Sequence, residues 1–230
     1  MYGTTEFGGR RNYGTVFELR RSDRKTRLHS FAKGGDGRYP GASMIRDSAG
    51  NLYGTAENGG ASGFGSVFEV AADGSETVLY SFTGESDGGT PLAGLIADKA
   101  GNFYGTTAYG GASGNGTVFE LAPNGIETVL YSFGGGNDGG TPPSALIRDN
   151  KGNLFGTTVL GGTSCLGTVF KLAPDGTETV LHSFSGGSDG ATPAGRLKMD
   201  DAGNLYGMTV YGGGASACTG GCGTVFEVSP

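Results

Sequence analysis

The residues best suited to chemistry in this 230-residue chain are four aspartates at a fixed spacing, Asp36, Asp87, Asp138 and Asp189, each 51 residues after the last. Each is followed by glycine, and a proline comes four residues after each aspartate, at Pro40, Pro91, Pro142 and Pro193. Two readings fit a carboxylate in such a loop. It can accept a hydrogen bond from a nearby backbone N–H and cap its own turn. Alternatively, the four can form a ring of acceptors for sugar hydroxyls or for a cation. Glycosidase chemistry needs two carboxyls about 5–9.5 Å apart, one with a raised pKa. Asp87 and Asp138, from adjacent loops, are the pair such a reaction would use. No Asp-x-Asp-x-Asp run with a following glutamate occurs, which excludes a helix–loop–helix calcium site.

A second series sits just before Gly-Gly pairs: Phe7, Asn58, Tyr109, Leu160 and Tyr211. Phe7, Tyr109 and Tyr211 are aromatic, and the identity drifts from one position to the next. Such residues either pack at a rim or form a stacking platform for a sugar ring, with flat faces that suit apolar sugar surfaces. Together with the four aspartates they make up the candidate ligand-binding set.

The other reactive residue types carry less. Glu18, Glu69, Glu120 and Glu227 recur within one predicted strand, and Lys171 stands in the same place once. A charge in mid-strand pairs within the sheet or points to the rim. His29 and His182 occupy the place of Tyr80 and Tyr131, so both read as tyrosine stand-ins, and no metal ligand is expected. Gly84-Glu-Ser-Asp-Gly88 and Gly186-Gly-Ser-Asp-Gly190 match the nucleophile-elbow pattern but lie between two strands, without the helix that chemistry needs. No phosphate-cradling loop is present, and no cofactor is expected. Cys218 and Cys222 flank Thr-Gly-Gly in a loop insertion, where a local disulfide is expected in an oxidising compartment. Cys165, in the corresponding loop of the preceding unit, pairs with one of them or stays a free thiol.

These residues repeat because the elements that carry them repeat. Tyr-Gly-Thr or a close variant begins at Tyr2, Tyr53, Tyr104, Phe155 and Tyr206, so residues 1–230 form a single repeat domain of 51-residue units. One unit reads as four strands. Strand A is Ala145-Leu-Ile-Arg-Asp149, B is Leu154-Phe-Gly-Thr-Thr158, C is Thr168-Val-Phe-Lys-Leu172, and D is Glu178-Thr-Val-Leu-His-Ser-Phe184. Asn150-Lys-Gly-Asn153 and Pro174-Asp-Gly176 are the tight A–B and C–D turns. In strand D of the preceding unit, Val129, Tyr131 and Phe133 alternate with Leu130, and both faces are largely apolar. A sheet wetted on one side would alternate with charge, so these sheets are expected to be covered on both faces.

Four-stranded units of this size predict an all-β fold, a β-propeller of antiparallel blades. A parallel β-helix is the runner-up, but its shorter coils lack the hairpin turns found here. Counting gives B-C-D, three full sets and A-B-C, hence 18 strands: five blades with the first and last incomplete. An open ring, or completion by a partner chain, follows. The minimal A–B and C–D turns look architectural. The longer, variable B–C and D–A loops should share one face and hold any site.

Composition narrows the partners. Forty-nine glycines without a triplet period suit short strands and tight turns rather than collagen. The net charge of −6 argues against nucleic acid as partner. Residues 1–50 hold 10 of the 16 basic side chains against 5 acidic ones, about +5, and leave about −11 for the rest. A basic end suits an acidic partner or another copy. No apolar run approaches a membrane span. Met1 opens directly inside a repeat with no secretory signal, which suggests a piece of a longer exported protein.

The strings Gly-Thr-Val-Phe-Glu-Leu at Gly116–Leu121, Glu-Thr-Val-Leu-Tyr-Ser-Phe at Glu127–Phe133 and Gly-Asn-Leu-Tyr-Gly-Thr at Gly50–Thr55 recur in one order. Over nearly the whole chain they resemble the GloVer tandem repeat of bacterial choice-of-anchor exported proteins. The resemblance implies export and attachment to the cell surface through interchangeable C-terminal anchors. It implies no activity and no catalytic residues. The functional expectation is an extracellular glycan-binding or adhesion module acting through the B–C and D–A loops. A hydrolase or lyase using the loop aspartates, or a plain spacer, are the alternatives.

Overall fold

The computed structural model describes residues 1–21, 24–32, 34–214 and 219–230, and all its regular elements are strands. The first blade is β1 (Tyr2–Thr5), β2 (Thr15–Leu19) and β3 (Lys25–Ser30). A two-residue strand, β4 (Gly37–Arg38), leads to the second blade: β5 (Ile45–Arg46), β6 (Leu52–Ala56), β8 (Ser66–Val70) and β9 (Glu76–Ser81), with β7 (Asn58–Gly59) in its B–C loop. The third blade is β10 (Ile96–Ala97), β11 (Phe103–Thr107), β12 (Thr117–Leu121) and β13 (Glu127–Ser132). The fourth is β14 (Ile147–Arg148), β15 (Leu154–Thr158), β16 (Thr168–Leu172) and β17 (Glu178–Ser183). The last is β18 (Ala191–Met199), β19 (Leu205–Tyr211) and β20 (Val225–Val228).

Within each blade the strands lie in sequence order and pair antiparallel, giving sheets of three, four, four, four and three strands. These are the 18 expected strands; the β4–β7 pair is the addition, a ribbon between the D–A loop and the next B–C loop. Strands B and C of the fourth blade match the expectation from sequence. Strand A shrinks from the expected Ala145–Asp149 to Ile147–Arg148, because only Ile147 and Arg148 find partners on β15.

Strand D departs from simple alternation. Val118 pairs with Tyr131 and Phe119 with Val129, so Leu130 is the extra residue of a β-bulge. The bulge breaks the period of two, and Leu130 and Tyr131 pack against the same apolar cluster instead of opposite faces. The same register shift recurs at Leu28, Leu79 and Leu181.

The core lies between blades. Four clusters of buried apolar residues each join one blade to the next. A phenylalanine ladder runs through them: Phe31–Phe68, Phe82–Phe119, Phe133–Phe170 and Phe184–Phe226 meet edge to face at 5.0–5.1 Å. Glycine in mid-strand makes room for the ladder. A Cβ on Gly105 would lie within 2.6 Å of the Phe119 ring, and Gly156 stands in the same relation to Phe170. The threonine of the Tyr-Gly-Thr string adds a polar tie. Thr4 Oγ1 donates to the Ala42 carbonyl of the next blade at 3.0 Å, and Thr55 Oγ1 to that of Ala93 at 2.8 Å. Among the described residues no cluster joins the last blade to the first.

Candidate functional site

The chain brings B–C and D–A loops together at one end of each blade. Gly89 and Tyr109 exchange backbone hydrogen bonds of 2.9 and 3.1 Å, and Gly140 and Leu160 bonds of 3.0 and 3.1 Å. The A–B and C–D turns meet at the other end, where Gly152 lies against Pro174.

Each loop aspartate is built into its own turn. Asp36 accepts a bond from the Ala32 N–H at 2.6 Å, Asp87 from Thr83 at 2.8 Å, Asp138 from Gly134 at 2.5 Å and Asp189 from Ser185 at 2.7 Å. The strand D side chain adds a second bond. Tyr80 donates to Asp87 at 3.0 Å and Tyr131 to Asp138 at 3.1 Å, and His182 Nε2 lies 3.0 Å from Asp189. The arrangement follows the turn-capping geometry, and no hydrogen bond joins one loop aspartate to another among the described residues. For Asp189, burial acts upward on the pKa, but bonds from Ser185 and the nearby His182 outweigh it and hold the carboxyl low.

The rim residues project outward. Phe7, Tyr109, Leu160 and Tyr211 are 56, 57, 50 and 48 % exposed, while Asn58 is half-buried in β7. Phe7 leans on Tyr39 at 5.4 Å. Two open clefts start from this rim. One of about 420 Å³ is lined by Tyr211 and glycines of the last blade, and one of about 310 Å³ by Phe7, Thr15, Lys25 and Arg27. Phe64, 50 % exposed on the B–C loop of the second blade, joins the rim; its counterparts are Tyr13, Asn115 and Leu166, so the aromatic recurs only once and was passed over in the sequence.

The turn end is less bare than its short turns suggest. Arg46 covers the Tyr2 ring at 5.2 Å, and Arg148 covers Tyr104 at 5.6 Å. Ala97 takes the arginine's place between the second and third blades, and a cleft of about 520 Å³ opens there over Tyr53, Phe103 and Glu69. Asp98 closes the A–B turn by accepting bonds from Asn102 N–H at 3.0 Å and Tyr104 at 3.1 Å.

One electrostatic feature was missed by reasoning from sequence. Glu76, Glu127 and Glu178 begin strand D, and each faces the loop aspartate of the preceding blade. Burial, then the charge of Asp36, Asp87 or Asp138, pushes each glutamate up to about 7. One oxygen of each is buried without a hydrogen-bond partner. Their recurrence before Thr in Glu-Thr-Val was the only available signal.

Cys222 is disulfide-bonded, Cys165 is a free, exposed thiol, and Cys218 lies outside the described residues. No helix flanks Ser86 or Ser188, so neither sits in a nucleophile elbow. Among the described residues no helix is long and apolar enough to cross a membrane.

No curated protein matches the chain significantly. Among solved structures it is similar to a gluconolactonase from Xanthomonas campestris, with a TM-score of 0.54, 15% identity and cover of 93% of this chain and 64% of that one. It is similar also to the extracellular domain of a one-component system from B. thetaiotaomicron (TM-score 0.53, 14% identity, 94% and 25% cover) and to a Dyadobacter fermentans protein of unknown function (0.53, 12%, 87% and 65%). The chain spans less than two thirds of the length of each, and at such identities the likeness establishes the propeller fold alone. The Gloeobacter/Verrucomicrobia repeat model matches residues 1–226, and the chain belongs to that family.

Proposed function

We propose that this propeller is an extracellular ligand-binding module whose loop-rich end takes a glycan or another cell-surface polymer. The supporting observation is the row of exposed side chains at one repeat position, Phe7, Tyr109, Leu160 and Tyr211, each about half exposed at the loop-rich end of its blade. Side chains held out in this way suit stacking on sugar rings. Near-identical units favour several weak equivalent contacts, whose avidity can exceed the single-site affinity by roughly 10²–10⁴. Asp36, Asp87, Asp138 and Asp189 hold the loops that present this rim. A glycan array followed by calorimetry on cell-wall polysaccharides tests the reading; no binding to any polymer rejects it. The hydrolase alternative has weaker support, since Asp87 and Asp138 each serve their own turn.

A second reading, self-association through the end blades, is favoured by a specific observation. Val225 and Met208 are 77 and 59 % exposed on the last blade, at positions buried in the three blades before it. On the first blade, Lys25 lies 4.4 Å over the half-buried ring of Phe17, whose counterparts Phe68, Phe119 and Phe170 are fully buried. An apolar face on the last blade thus stands at one end of the chain and a basic, aromatic face at the other. Such head-to-tail contact would continue the row of blades from one copy into the next, closing into a ring or extending according to the rotation between copies.

A further inference from the structure

At the boundary between the first and second blades, three metal-ligating side chains converge: His29 from β3, Asp36 from the following loop, and Glu76 from the start of β9. One ligand atom from each lies within 4.8 Å of the others. His29 Nε2, Asp36 Oδ1 and Glu76 Oε1 are all buried and all lack a hydrogen-bond partner. Buried polar atoms of this kind are uncommon, and three together call for an occupant.

The repeat supplies its own comparison. At the next two boundaries the strand D residue is tyrosine. The Tyr80 hydroxyl donates to Asp87 at 3.0 Å and the Tyr131 hydroxyl to Asp138 at 3.1 Å, so a neutral donor sits where the charges gather. Histidine is shorter than tyrosine. His29 Nε2 stops 3.5 Å from Asp36 Oδ2, too far for a good bond, and space opens among three groups that can each give up a lone pair. His182 makes the same exchange in the fourth blade, but it bonds Asp189 directly at 3.0 Å, and no third ligand joins that pair among the described residues. Only the first boundary, among the described residues, combines a short imidazole, an uncommitted carboxylate oxygen and a glutamate from the neighbouring blade.

We propose that His29, Asp36 and Glu76 bind a divalent transition-metal ion of the Zn²⁺ class. One imidazole and two carboxylates form a nitrogen–oxygen donor set suited to such ions, whereas the imidazole disfavours Ca²⁺ and Mg²⁺. In a tetrahedral site with bonds near 2.0–2.1 Å, ligand atoms stand roughly 3.3 Å apart, so a modest contraction of the triad closes it. Three protein ligands leave a fourth position for water or for a group from a bound molecule. The ion would also neutralise Asp36 and Glu76 and tie the first blade to the second.

The test is calorimetric titration of the chelator-stripped chain with Zn²⁺, with thermal melting in parallel. The expected result is one ion per chain, bound more tightly than about 100 µM, and a melting midpoint that rises with Zn²⁺. His29→Tyr installs the residue of the next two blades and should abolish binding, and Glu76→Gln should weaken it at least about tenfold. His182→Tyr should leave it unchanged. If His29→Tyr fails to fold, the affinity of Glu76→Gln decides the question in its place. Absence of Zn²⁺ binding to the unmutated chain overturns the proposal. So does retention of full affinity in His29→Tyr or Glu76→Gln, or loss of the ion in His182→Tyr.

Discussion

Val225 of the last blade is 77 % exposed, although Val169, its counterpart one blade earlier, is fully buried. Val16, Val67 and Val118 are fully buried as well, because in every blade but the last this valine packs against the blade that follows. The polar tie changes at the same boundary: Met208, 59 % exposed, stands where Thr55, Thr106 and Thr157 are buried. A side chain that the repeat uses as core has become surface.

The exposed end face leads to an expectation about mass. Light scattering or sedimentation should give an average mass that rises with concentration. Val225→Lys and Met208→Lys should each lower it toward one chain while leaving the melting midpoint within about a degree, because both residues are already exposed. A single-chain mass at all concentrations removes self-association.

Stability should fall as pH rises through the neutral range. Burial and Asp87 raise the Glu127 carboxyl from its ordinary 4.5 to about 7, and burial and Asp138 do the same for Glu178. Between those values the folded chain binds more protons than the unfolded one, so unfolding becomes easier with rising pH and levels off above about 7. The aspartates held low, such as Asp98, act in the opposite sense but only below the ordinary carboxylate range. Replacing Glu127 and Glu178 together by Gln should flatten the melting midpoint between about pH 5 and 8. Equal slopes in the parent and the double variant would contradict the assignment.

The phenylalanine ladder should dominate the stability of the inner blades. Phe133 is fully buried and meets Phe170 at 5.1 Å across a blade boundary. Phe133→Ala should cost about 3–5 kcal/mol in denaturant unfolding. Truncating the exposed Tyr109 should cost under about 0.5 kcal/mol.

A loop glycine supports the rim from beneath. Gly139 has φ of +97°, and a Cβ there would run into the Thr158 hydroxyl, which is paired with Thr168 at 2.8 Å in the buried sheet. Gly139→Ala should therefore destabilise by about 2 kcal/mol or more. Gly187 has φ of +58° but open space around it, and Gly187→Ala should cost about 1 kcal/mol. Equal effects on unfolding would show that strain alone governs these loops.

On the ligand side, Tyr109→Ala should weaken binding of a recognised polysaccharide by about tenfold at one blade, the scale expected for loss of one aromatic contact. Leu160→Ala should have a smaller effect. Calorimetry on both variants distinguishes a stacking platform from incidental exposure.

The repeat, the blade and most strand positions were legible in the amino-acid order alone. Gly-Thr-Val-Phe and Glu-Thr-Val-Leu carry a local alternation, and glycine turns punctuate them, so Leu154–Thr158 and Thr168–Leu172 could be read without a partner in view. The turn-capping geometry of Asp87 and Asp138 was visible as one of two readings, since its partners lie four residues away. Features that join residues distant in the chain waited for the folded structure. The pairing of Asp87 with Glu127, the meeting of His29 with Glu76, and the bare valine at the last blade all depend on which blade stands beside which. The Leu130 bulge belongs with them, because an extra residue shows only once the partner strand fixes the register. Local pattern reports the preferences of a strand. Burial, charge proximity and exposed edges are properties of neighbours, and a repeat that looks uniform along the chain differs at its two ends for that reason.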